Sequence, residues 1–376
     1  MTASFRGRKK WALAVTLLAA VFLGCPPLAQ AAEYGKPGDP IHLVVGYQPY
    51  YTEAWSGAVV DGLQLWKKHL PAGSTVEFRA GLQGTIIVNA MLAGKEQIGY
   101  LGDMPSIVGA TKRSVSDLRI VASIGLSHDQ CNVIFVRNDA PRFATPDAAI
   151  AWLQGKQIAA PKGSCSDRFT RAVLEKNHVT PSAYLNQSIE VIASGFRAGK
   201  LDAAVVWEPV GSRLVDEHLA RRVVSGNELG EEDGAFIDMR ADLIQARPDI
   251  VTDWLETELE AEHYLADPKN ADVVVKLLKA QTTGFSEKAL RLSVFGTYPA
   301  DEGGSPERMT LPFGFTPQSN ALLKKASAFL YATHSIDVPV LAPNAVLPDL
   351  TAGILQAHHE TAPVATVQAQ PDAASK

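Results

Sequence analysis

Between residues 41 and 136 the chain repeats one short unit: an apolar run, a loop rich in Gly, Pro or Asp, then a stretch of helical periodicity. Residues 41–45, 75–79 and 98–101 read as buried strands. The loops Gly46-Tyr47-Gln48-Pro49-Tyr50-Tyr51, Gly81-Leu82-Gln83-Gly84-Thr85 and Gly102-Asp103-Met104-Pro105 close them. Further strands are expected at 118–124 and 132–136. Strands joined through helices by short connections specify α/β architecture, because parallel neighbours need a crossover between them. In open sheets of this kind the loops at the carboxyl ends of the strands gather into the ligand crevice.

A second set of units follows Pro141. A helix is expected over 146–153, and strands over 158–160, 190–193, 203–207 and 222–224. From Met239 onward the pattern turns helical, with helices over 250–265, 271–283, 286–294 and 320–333. The tail over 357–376 is rich in Ala, Pro, Gln and Thr, so it reads as disordered. His358-His359 reads as a solvated pair.

The stretch QIAAPKGSCSDRFTRAVLEKNHV, residues 157–179, is the most suggestive single segment. A short strand ends at Pro161, Lys162-Gly163-Ser164 turns, and Ser164, Cys165 and Ser166 stand where a helix begins. First-turn N–H groups, the positive end of the helix dipole and two hydroxyls together hold a small anion without a full positive charge. An ordinary serine-capped helix is the alternative reading.

Composition bounds the class. With 376 residues, 46% hydrophobic and 20% charged, and a net charge of -5, the chain has room for two lobes and lacks the basic excess that nucleic acid would demand. Arg6, Arg8, Lys9 and Lys10 precede an apolar run over 11–23, and Ala29-Gln30-Ala31 supplies a small-x-small cleavage site. Residues 1–31 therefore read as an export signal, which places the mature chain in the periplasm or otherwise outside the cytoplasm. Phe22-Leu23-Gly24-Cys25 offers a second outcome, a lipid anchor on Cys25. Past that segment no stretch is long and apolar enough to span a bilayer.

Residues 93–103 and 197–209 share the order small residue, Gly, Lys, polar residue, strand, loop. Together with 155–164 they resemble the periplasmic solute-binding proteins of ABC importers, in the nitrate, taurine and aliphatic sulfonate branch. The resemblance runs from about 41 to about 333. It implies a type II periplasmic-binding fold: two α/β lobes, two crossing segments and a ligand crevice between lobes. Lobe one maps to 41–136 plus 239–344, and lobe two to 137–238. It further implies capture of a small ligand by lobe closure and delivery to a permease and its ATPase, by a monomer that reaches the membrane only through the permease or a lipid anchor. Neither a cofactor nor a metal is expected.

Carried over from the family, the ligand loops fall on Gln48, Tyr50 and Tyr51; on Gln83, Gly84 and Thr85; on Gly102, Asp103 and Met104; on Ser164, Cys165 and Ser166; and on Trp207 and Glu208. Gly84, Thr85 and the 164–166 turn would meet an anionic head, and Tyr50, Tyr51 and Trp207 would wall an apolar body. Asp103 serves equally well as an N-cap, and Glu208 as a structural brace. The polar loop 127–132 adds Asp129 as a candidate. If Asp103, Asp129 and Glu208 face the crevice they would repel a bare anion, which favours a zwitterion such as taurine or a cationic heterocycle such as a thiamine-pyrimidine precursor. A disulfide between Cys131 and Cys165 would tether the lobes; free thiols are the alternative.

An enzyme is the rival class, since a pyrimidine-synthase branch resembles these binders, but that branch carries a Cys-rich motif. Here the two cysteines left after the signal stand 34 positions apart, and no nucleophile–base set is visible. Binding rather than catalysis is expected. A ligand-sensing adaptor remains the third class.

Overall fold

The computed structural model describes residues 34–370; the expected export signal, Cys25 and residues 371–376 lie outside them. Apolar runs become the interior strands. β1 (His42–Tyr47), β2 (Thr75–Ala80), β3 (Ile98–Gly102) and β4 (Leu118–Ser127) come first, and β3 and β4 are buried along their whole length. Next come β5 (Val133–Arg137), β6 (Gln157–Ala160), β7 (Ala183–Asn186), β8 (Ala203–Val205) and β9 (Ala220–Ser225). β10 (Asp233–Arg240), β11 (Glu307–Leu311) and β12 (Ala365–Gln368) complete the set.

Two sheets result. Seven strands lie in the order β12-β11-β4-β10-β3-β1-β2, and five in the order β7-β6-β8-β5-β9. β1 is parallel to β2 and β3, and β6 is parallel to β7 and β8. β10 and β5 instead run antiparallel to both of their neighbours. Each is the strand the chain enters after changing sheets: residues 128–132 lead from β4 into β5, and 226–232 from β9 into β10. The expected two-lobed α/β fold with two crossing segments is what the chain adopts.

Several expected details change. Residues 133–136, assigned to lobe one, fall in β5 of the second sheet, and β10 returns to the first sheet before Met239. The changeover points are therefore 128–132 and 226–232, earlier than the boundaries at 136 and 238. The expected strand at 190–193 is a helix, Ile189–Arg197. Ile189, Ile192, Ala193 and Phe196 are buried on one face at helical spacing, and Ser188 caps the start. The tail is not structureless throughout. Val367 is buried and β12 pairs antiparallel with β11, a strand the helical reading had passed over.

Packing fixes the helix that matters most. Helix Cys165–Lys176 buries Phe169 and Val173 against Ile134, Ile150, Ile158 and Val205 of the second sheet's own core. Full burial of a side chain like Phe169 contributes roughly 1.5–3 kcal/mol. That anchors the helix and holds its first turn just past the carboxyl end of β6. Among the described residues no helix is long and apolar enough to cross a membrane.

Candidate functional site

Three helices begin at one crevice between the sheets: Gly84–Leu92 after Gln83, Asp103–Thr111 after Gly102, and Cys165–Lys176 after Ser164. The first two belong to the first lobe and the third to the second. Gly84 is required by contact, because a Cβ there would stand 2.5 Å from Pro105 Cγ. Gly163 is required by conformation, with φ at +75° in the turn before Ser164. Ser164 Oγ accepts from Asp167 N at 3.3 Å and donates to Pro161 O at 2.6 Å, so its hydroxyl is spent on shaping the turn. The backbone N–H groups of Gly84, Thr85, Cys165 and Ser166 take no partner among the described residues. They are left to the crevice or to solvent.

About 480 Å³ of space, part of it open solvent, lies between the residues that line the crevice. Of the expected residues, Gln48, Tyr51, Gln83, Gly84, Thr85, Gly102, Asp103, Ser164, Cys165 and Trp207 line it, together with Pro105, Pro161, Lys162 and Gly163. Tyr51 and Trp207 form the apolar wall, edge to face with ring centroids 6.5 Å apart. Trp207 Nε1 donates to Tyr50 O at 2.9 Å, and Thr52 N donates to Glu208 O at 3.2 Å, so both bonds join the lobes.

Five expected residues do not line the crevice. Tyr50 packs on Phe285, and its hydroxyl accepts from Thr283 N at 3.4 Å. Met104 is fully buried among Ile107 and Phe236. Ser166 turns inward and donates to Cys131 O at 3.3 Å. Asp129 accepts from Arg222 at 3.2 Å and from Arg308, and Glu208 accepts from Arg222 at 3.2 Å and from Ser212 N at 2.6 Å. The Arg222 guanidinium stacks on Tyr298, 4.1 Å from the ring centroid. These two carboxylates brace the crossing segments and carry no charge into the crevice. Nothing local in sequence marks Arg222 and Arg308 as their partners.

Asp103 does face the crevice, but it is neutralised. Arg168, from the helix of the other lobe, donates to it at 2.9 Å, and the two side chains are only 2% and 1% exposed. Burial raises the Asp103 carboxyl above its ordinary value, against the pull of Arg168 and the Met104 amide. Behind it, burial pushes Asp233 up to about 7 and Glu53 well above the usual carboxylate range, with Asp233 adding repulsion to Glu53. Lys162, exposed at the rim, is the one lysine or arginine among the lining residues. The concern that acids would repel an anion therefore falls away, because each has a partner or a proton.

Cys131 and Cys165 are joined in a disulfide, with Cα atoms 6.1 Å apart. The bridge ties the end of the first crossing segment, just before β5, to the second-lobe helix. It does not clamp one lobe's core to the other's, contrary to the expectation from sequence.

A family model described as the NMT1-like family matches residues 72–279, more than half of the chain. The taurine-binding periplasmic protein of Escherichia coli is 25% identical over 64% of this chain and 72% of that protein. The solved alkanesulfonate-binding protein SsuA from Xanthomonas axonopodis, bound to MOPS, superposes with a TM-score of 0.64 at 22% identity, covering 83% of this chain and 99% of that one. The desulfurization enzyme DSZB superposes with a TM-score of 0.61 at 17% identity, covering 84% and 99%. The fold is thus shared by binders and by at least one enzyme.

Proposed function

Because this chain belongs to the NMT1-like family, we propose that it is the exported solute-binding component of an ABC importer, and that it captures a small sulfonate-type or zwitterionic organic ligand of the taurine and alkanesulfonate class. One observation carries the reading: three helix N-termini from two lobes meet at a crevice whose acids are already paired or protonated. The oxyanion head sits against the free amides of Gly84, Thr85 and Cys165, where dipole and donors act together. Lys162 adds charge at the rim, and the organic body lies against Tyr51 and Trp207. Because all carboxylates near the crevice are compensated, a cationic heterocycle finds no free counter-charge, which sets that alternative behind the sulfonate.

Lobe closure forms the Arg168–Asp103 pair and the Trp207–Tyr50 bond; opening breaks both. A ligand that touches both lobes favours the closed form, and a permease then reads that form. Thermal unfolding of the mature chain against taurine, alkanesulfonates, nitrate and pyrimidines tests the proposal, with calorimetry on each hit. Saturation at a hundred times Kd stabilises a one-site binder by about 2.7 kcal/mol. A stabilisation by sulfonates that Trp207→Ala removes supports the reading, whereas a response only to pyrimidines overturns the ligand class. Recovery of the compound unchanged after prolonged incubation separates binding from catalysis.

A further inference from the structure

Behind the crevice wall lies a set of side chains that ligand capture does not use. The Cys131 and Cys165 sulfurs and a carboxylate oxygen of Asp233 lie within 4.8 Å of one another, and all three residues are buried. Glu53 stands against Asp233, close enough for the two carboxyls to share a hydrogen bond when one is protonated. All four of their oxygens are buried and find no hydrogen-bond donor among the described residues. Carboxylates brought together without donors ask for a proton or a cation. Arg168, whose Nε and Nη1 also lack hydrogen-bond partners, supplies compensating positive charge nearby.

Access and reactivity are both provided. Cys165 is the first residue of its helix and lines the crevice, so the helix dipole favours its thiolate and solutes reach it from the open side.

We propose that reduction of the Cys131–Cys165 disulfide turns this cluster into a site for a divalent, thiophilic metal ion, with Cys131, Cys165 and Asp233 as ligands, a solvent molecule as the fourth, and Glu53 as the carboxyl that partners Asp233. A dithiol delivers two electrons and two protons to the sulfur–sulfur bond and is itself oxidised to a disulfide, leaving two thiols. The incoming ion displaces both thiol protons, and the proton held between Glu53 and Asp233, to water. Two thiolates, one carboxylate and a solvent oxygen in tetrahedral array suit Zn²⁺, and a tetrahedral ion with metal–sulfur bonds near 2.3 Å sets its sulfurs roughly 3.8 Å apart. Hard ions such as Mg²⁺ prefer all-oxygen shells and are excluded. Sequence spacing hides the set, because Asp233 and Glu53 lie far from both cysteines in the chain.

The test needs no organic ligand, so it stands apart from the sulfonate assignment. The mature chain is reduced with a phosphine, freed of reductant without air, and titrated with Co²⁺. One Co²⁺ per chain with near-ultraviolet sulfur-to-metal charge-transfer absorption, displaced by Zn²⁺, is expected, together with loss of both titratable thiols. The oxidised chain should show none of this. Asp233→Asn should keep two titratable thiols yet weaken Co²⁺ by roughly a hundredfold, since even outer-shell changes cost 10–100-fold. Absence of charge-transfer absorption in the reduced wild type overturns the proposal, as does binding of equal strength in Asp233→Asn. Cys131→Ser should lose the charge-transfer absorption as well; should that variant not fold, the oxidised wild type and Asp233→Asn still decide it.

Discussion

Exchanging Asp103 for Asn removes one charge from the buried pair that spans the crevice while keeping an acceptor for the Met104 N–H, which now bonds Asp103 at 2.7 Å. Its partner Arg168 sits 2.9 Å away and is 2% exposed. Removing one member of such a pair costs about 3–5 kcal/mol, because the other is left buried and uncompensated. The two single variants should differ. In Asp103→Asn the guanidinium still has Asp233 nearby, held protonated by burial at a value of about 7, and ionisation of that group softens the loss. In Arg168→Met, Asp103, Asp233 and Glu53 are all left without a cation, so the loss lies at the upper end. The double variant should be closer to wild type than either single variant. Urea unfolding of the four proteins at neutral pH supplies the cycle. A cost below about 1 kcal/mol for both single variants, with no coupling between them, is the behaviour of an exposed pair. It would refute the reasoning and mean that the ligand-free crevice stands open in solution.

Three further outcomes are expected. Asp233 has its carboxyl raised to about 7 by burial, and Glu258 likewise, so the folded chain holds protons that the unfolded chain releases near pH 4. Stability should therefore be greatest on the acid side and fall as pH rises towards about 7, by about 1.4 kcal/mol per pH unit for each such proton, and Asp233→Asn should flatten the slope measured by unfolding at stepped pH. Gly84→Ala drives a Cβ to 2.5 Å from Pro105 Cγ and should cost about 1–3 kcal/mol and weaken ligand binding, whereas Gly353→Ala, with nothing within 4 Å, should stabilise helix Pro348–His358 by about 0.5–1 kcal/mol. Truncation after Ala362 deletes β12 and bares the edge of β11, and should lower the unfolding midpoint and promote association by light scattering, where a dispensable tail would change neither.

The helix starts were legible because their causes are local. Ser164 caps its helix with its own side chain, Gly163 takes the positive φ that its turn needs, and the loops after β1, β2 and β3 follow directly from runs the eye can find. Seven of the crevice loops' residues from the first lobe and three from the second could be named on that basis and on the family resemblance. Lys162 was in view as part of a turn, and only its position at the rim gave its charge a role.

What the amino-acid order determined by itself was thus the alternation of strand, loop and helix, the α/β class and the positive φ turns, all set by interactions within a few residues. Tertiary structure alone decided where those pieces went. β5 and β10 change sheets through pairings with distant strands, and β12 is ordered only because β11 offers an edge to it. Asp129 looked like a free acid in a polar loop until Arg308, 179 positions away, and Arg222 closed on it. Contacts of that separation leave no period in the sequence, and a buried carboxylate has no charge of its own until its neighbours settle it.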